Sequence, residues 1–114
     1  MTGPIFIAMN RFRVARGEEA AFEEVWRGRT TRLPEVPGYV SFHLLRGPEA
    51  DDHTLYASHT VWQSEAHFLD WTRSDQFRAA HTGAGERRPL TLGHPQFEGF
   101  TAVVDGMPPQ AAIS

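Results

Sequence analysis

The 114-residue chain is 40% hydrophobic and 11% aromatic with a formal net charge of -3, which suits one compact domain with an ordinary core and leaves no room for a second. That charge gives no electrostatic footprint for nucleic acid, and neither a basic-plus-apolar leader nor an apolar run near the roughly 20 residues of a membrane span is seen, so a cytoplasmic protein with no nucleic-acid or membrane partner is expected. There is no cysteine and no lysine, all 11 cationic side chains being arginine, which excludes disulfides, thiolate catalysis, Fe-S and zinc-thiolate sites, and Schiff-base or pyridoxal phosphate chemistry.

In chain order, "IFIAMNRFRV" alternates as a strand, with Ile5, Ile7 and Met9 on one face and Phe6, Ala8, Asn10, Phe12 and Val14 on the other. Both faces begin apolar, as in a strand covered on both sides. After the turn-like "ARGE", Phe22, Val25, Trp26 and Leu33 predict an amphipathic helix of about 15 residues ending before Pro34. "PGYVSFHLLRG" sets Val40, Phe42 and Leu44 against Tyr39, Ser41, His43 and Leu45, and "HTLYASHTVW" alternates again after the acidic turn "PEADD", so the two form a hairpin. Ser64 caps a shorter helix, and Ser74 caps a second, "DQFRAAH", ending at Gly83. A Gly/Pro-rich loop, "GAGERRPLTLGHP", leads to a last strand, "FEGFTAVV".

Strand, helix, two strands, broken helix and strand make an α+β layer of the ferredoxin-like plan, an antiparallel sheet with helices on one face. Residues 1–104 form this domain, and 105–114, with a glycine and two prolines, a frayed tail. The face away from the helices, carrying Ile5, Ile7, Met9, Tyr39 and Leu45, is apolar and uncovered in a monomer. A homodimer packed sheet against sheet is therefore expected.

Asn10 sits on the helix-facing side among apolar neighbours, where an unpartnered amide costs about 1 to 3 kcal/mol. It bonds either a neighbouring backbone group or a ligand. Trp71 follows Phe68 as an ordinary core stripe would, and His81 shares a helical face with Phe77, fitting either a satisfied core histidine or a ligand. His67, one turn before Trp71, is a competing ligand. No histidine pair has zinc spacing with a nearby carboxylate, and there is no GxGxxG, Walker loop or Gly-x-Ser-x-Gly elbow.

In combination, "AMNRF" in the first strand, "VW" closing the third, "FLDW", "SDQFRAAH" and the glycine-rich loop resemble the IsdG-type haem-degrading monooxygenases of the antibiotic biosynthesis monooxygenase superfamily. The resemblance spans residues 4 to 104 and implies a dimeric α+β barrel. It also implies that haem is both substrate and cofactor, opened by O2 with an external electron donor or reductase to a linear tetrapyrrole, with release of iron. By position it makes Asn10 a distal hydrogen-bond donor, Trp71 the indole that distorts the ring, and His81 the axial iron ligand. Phe6, Phe12, Phe68 and Phe77 are expected to line the haem face, and Arg87 and Arg88 to meet the propionates. Two alternatives stand beside it: a cofactor-free monooxygenase making quinones from polycyclic phenols, and a non-catalytic haem-binding or haem-transfer protein.

Overall fold

The computed structural model describes residues 4–30, 32–75, 77–78 and 90–104. Its elements run β1 (Phe6–Ala15), α1 (Glu19–Arg29), a 3-10 turn (Leu33–Glu35), β2 (Tyr39–Glu49), β3 (His53–Trp62), α2 (Glu65–Thr72) and β4 (Gln96–Thr101). The strands lie in the order β2-β3-β1-β4 with each neighbouring pair antiparallel. The helices cover one face, giving the ferredoxin-like α+β architecture that the order of elements predicts.

Alternation decides which side chains meet the helices. On β1 the buried residues are Phe6, Ala8, Phe12 and Val14, with Arg11 and Arg13 exposed on the other face. β3 pairs with the whole of β1, from Phe6 opposite Trp62 to Ala15 opposite His53, and buries Thr54, Tyr56, Ser58 and Trp62 on the same face. Polar bonds tie α1 down onto this face. Thr54 donates its hydroxyl to Glu19 at 2.7 Å, and Glu23 accepts from the Tyr56 hydroxyl at 2.5 Å and from Arg46 at 2.7 Å.

The buried side chains fall into two clusters. Phe6, Ala8, Leu33, Val36 and Trp62 form one, with Tyr39, Phe42, Phe68 and Trp71 packed against it. Phe12, Val14, Phe22 and Tyr56 form the other, with Trp26, Leu44 and Leu90 against it. Between them the central strands turn polar, and Asn10 stands opposite Ser58 in register.

Three expectations are corrected. The α1 helix has 11 residues rather than about 15, since it caps at Thr30 and Pro34 instead enters the following 3-10 turn, where its missing N–H costs nothing; Leu33 is buried all the same. Tyr39 does not belong to the open face. A register shift between Tyr39 and Ser41 turns it toward the helices, edge-on to Trp62 with ring centroids 6.3 Å apart, and leaves Val40 49% exposed. The strand β2 also runs on through Pro48 and Glu49, which the sequence assigns to the turn, after a second register shift.

Ser64 caps α2 as predicted, accepting from the His67 backbone N–H at 3.2 Å. Ser74 likewise accepts from the Phe77 N–H at 3.1 Å, where helical backbone resumes. The remainder of that helix to Gly83, the tail from 105 to 114, and the predicted site residues His81, Arg87 and Arg88 lie outside the described residues.

Candidate active site

The gap between the two core clusters is a cavity of about 380 Å³ between α1 and α2, floored by the sheet. Asn10, Ser58 and Thr60 lie on its floor, Trp26, Arg29 and Thr30 come from the end of α1, Phe68, Trp71 and Thr72 from α2, and Phe97 from β4. The walls are mainly flat rings held by one another. Phe97 stacks on Phe68 (centroids 5.6 Å apart, planes 8° apart) and Trp26 on Phe42 (5.6 Å, 15°), while Trp71 lies against Trp62 at 5.4 Å and edge-on to Phe77 at 4.7 Å. Such contacts contribute about 0.5 to 1.5 kcal/mol beyond the area that they bury and fix the rings in place.

Among the described residues, several polar groups around this apolar space have no hydrogen-bond partner. Among the described residues neither the half-buried Asn10 carboxamide nor the hydroxyl of Ser58, a residue 4% exposed, makes a side-chain hydrogen bond. The indole N–H groups of Trp26 and Trp62 are buried and unpartnered as well. The two indole N–H groups have no accessible surface, so the polar atoms that the floor offers to a ligand are those of Asn10 and Ser58.

The lining contains no carboxylate and no histidine among the described residues; its charged member is Arg29, whose guanidinium lies 5.5 Å from the centre of the Trp26 ring. The shifted titrating groups sit elsewhere. Glu23 is held below the usual carboxylate range by the bonds from Tyr56 and Arg46, and Glu19 chiefly by that from Thr54, while desolvation raises Tyr56. Glu23, Arg46 and Tyr56 line a second cavity of about 270 Å³ on the far side of the Trp26–Phe42 stack. The described lining of the main cavity thus combines flat apolar walls with a few polar groups, and it contains no carboxylate or imidazole for proton transfer.

Of the residues expected at the site, Asn10, Trp71, Phe12, Phe68 and Phe77 do line one cavity. Trp71 is both core stripe and pocket wall. Phe6 is a correction: it is 5% exposed and sits behind the lining against Phe68, in the space where a Cβ on Gly99 would come within 2.6 Å of its ring. Alternation put Phe6 on the right face without showing that Phe68 would cover it. His67 is not among the lining residues, as its ring packs on Gly38 and Nδ1 lies 2.8 Å from Ser64 Oγ. Ser58, Thr60, Trp26 and Phe97 went unpredicted. The signal that singles out Asn10, a polar residue among Phe6, Ala8, Phe12 and Val14, is absent at Ser58, whose face in "HTLYASHTVW" also carries Thr54, Tyr56 and Thr60.

Comparison with known proteins places the fold among oxygenases. A haem oxygenase (staphylobilin-producing) from Staphylococcus aureus is 30% identical over 76 residues, 67% of this chain and 70% of the relative. The haem-degrader MhuD from Mycobacterium tuberculosis, solved with two haems bound in its active site, superposes with a TM-score of 0.68 at 27% identity, covering 90% of this chain and 99% of MhuD. SnoaB, a cofactor-independent oxygenase from Streptomyces nogalater, superposes with a TM-score of 0.67 at 25% identity, covering 90% and 96%. The antibiotic biosynthesis monooxygenase family model matches residues 5–83, most of the described domain, and the chain belongs to that family and is homologous to its haem-degrading, IsdG-type members.

Proposed function

We propose that the protein is a haem-degrading monooxygenase that takes haem as both substrate and cofactor, opens the porphyrin with O2 and an external reductant, and frees iron. The observation that carries this reading is that Asn10 and Trp71, far apart in sequence, line one flat-walled cavity and that the Asn10 carboxamide there lacks a partner among the described residues. The similarity to haem-degrading relatives supports it further. The donor set suits the ring: Phe12, Phe42, Phe68, Trp71 and Phe97 offer stacking faces, and Arg29 at the cavity edge offers a cation for a propionate beside the expected Arg87 and Arg88.

When bound, the substrate supplies its own redox centre, which activates dioxygen once reduced. This chain's residues do the rest. His81, assigned by resemblance, ligates the iron through a neutral ring nitrogen. Trp71, held by Trp62 and Phe77, would press on the face of a bound porphyrin and bend it. Asn10, on the cavity floor, would offer its carboxamide N–H to a polar ligand beside the ring and bias its direction, as a fixed dipole does in other sites. The aromatic walls exclude water. The catalytic unit is a homodimer built on the open sheet face, where Leu45 is 43% and Phe100 48% exposed.

The test is a haemin titration of the wild type and His81→Ala, followed by ascorbate in air. The reading expects a saturable Soret shift near one haem per chain, bleaching with chelatable iron on reduction, and loss of both in the variant. A wild type with no saturable shift sinks it. Saturable binding that survives ascorbate and air unbleached would make the protein a haem carrier. A second reading, a cofactor-independent oxygenase of polycyclic phenols, is favoured by the match to SnoaB.

A further inference from the structure

We propose that Ser58 is a specificity-determining residue of this site, forming with Asn10 a two-point hydrogen-bonding floor that grips one polar atom of the bound ligand complex. The inference rests on the haem reading above and goes beyond it to a residue of β3. Ser58 lies directly opposite Asn10 in the antiparallel register, so both side chains leave the sheet on the same face, side by side. It lines the cavity, is 4% exposed, and its hydroxyl has no partner among the described residues. Nothing about the strand itself calls for a serine. Its neighbours on this face are Tyr56, wholly buried in one cluster, and, past Thr60, Trp62, wholly buried in the other, a setting in which a valine would bury more apolar surface.

A hydroxyl accepts as well as donates, whereas the Asn10 amide N–H only donates. Together they hold a small anionic or oxygen-bearing ligand from two sides and set its direction over the ring. Asn10 alone leaves that ligand free to swing. The chemical class selected is a small polar ligand of the haem, for which azide is the experimental probe, and the consequence for turnover is a fixed choice of meso carbon.

The test uses haemin-loaded protein with Ser58→Val and Ser58→Thr, two replacements of nearly equal size of which only threonine keeps the hydroxyl, so the difference between them reads the hydroxyl and not the bulk. Azide affinity of the ferric complex is read by its Soret shift, and the tetrapyrrole isomers formed on turnover by mass spectrometry and NMR. Haemin affinity should stay within about twofold in both, while azide binding weakens about fivefold in Ser58→Val, the effect of one lost hydrogen bond, and recovers in Ser58→Thr. Ser58→Val should also yield mixed isomers. In the haem-free protein Ser58→Val should melt at or above Ser58→Thr, because between these two an unmet hydroxyl is replaced by a methyl. Unchanged azide affinity and unchanged isomers in Ser58→Val, with haemin still bound, overturn the role of Ser58 and leave the haem reading standing. A melting temperature of Ser58→Val below that of Ser58→Thr likewise overturns it, by giving the hydroxyl a structural job. Failure of the wild type to bind haemin overturns both together.

Discussion

At the scale of single residues, a side chain's worth depends on whether its polar atoms are met. The carboxamide of Asn10 has no side-chain partner among the described residues, so Asn10→Ala should leave the stability of the haem-free protein unchanged or slightly higher. On the proposed function the same change keeps haemin affinity and lowers the turnover rate about a hundredfold, the usual cost of losing one oriented donor. A melt and a single-turnover bleaching trace check the two halves. Gly38 is the opposite case. It sits at φ +85, and a Cβ there would come within 2.2 Å of the His67 ring, so Gly38→Ala should lower the unfolding free energy by about 1 to 3 kcal/mol from strain, with more if the His67 ring cannot move. An unchanged urea midpoint would contradict this. Asn10 and Trp71 were legible in the sequence because a polar residue interrupted an apolar face and the surrounding motifs matched a family. Gly38 was not, since no pattern in "PGY" announces that a histidine almost thirty residues away will rest on it.

At the scale of elements, α1 is held to the sheet by a polar clasp beside the aromatic one. Glu23 accepts from Tyr56 and Arg46, its carboxyl is held below the ordinary glutamate value of 4.5, and Phe22 and Trp26 pack beneath on Phe12. A carboxyl with a depressed folded-state value contributes stability above its unfolded value and loses it as the pH falls through the folded one. Stability should therefore decline below about pH 4.5, and Glu23→Gln should be less stable than the wild type at pH 7 with a shallower acid decline. Chemical denaturation at a series of pH values reads this, and parallel acid limbs would show that the clasp does not matter. Periodicity made α1 and its apolar face legible, but its end was overestimated, because Leu33 falls in phase with the helix while reaching the core from a separate 3-10 turn.

At the scale of the whole molecule, the helices cover one face of the sheet and the other carries exposed Leu45 and Phe100, with Ile7 opposite Phe100. On the proposed dimer, the wild type should sediment at twice the chain mass, and Leu45→Glu or Phe100→Glu should sediment as a monomer with its helical signal intact. A wild-type monomer across micromolar concentrations would refute it. By itself the sequence determined the strand and helix alternation, the face that β1 buries, the antiparallel α+β plan and the family, because periodicity and short motifs are local properties of the chain. Only the tertiary structure decided that the buried core divides into two clusters with a cavity between them, that a register shift turns Tyr39 inward, that Phe6 lies behind Phe68, and that Ser58 stands beside Asn10. Periodicity tells a side chain which way to face, and what it then meets depends on the strand pairing and on the helices laid across it.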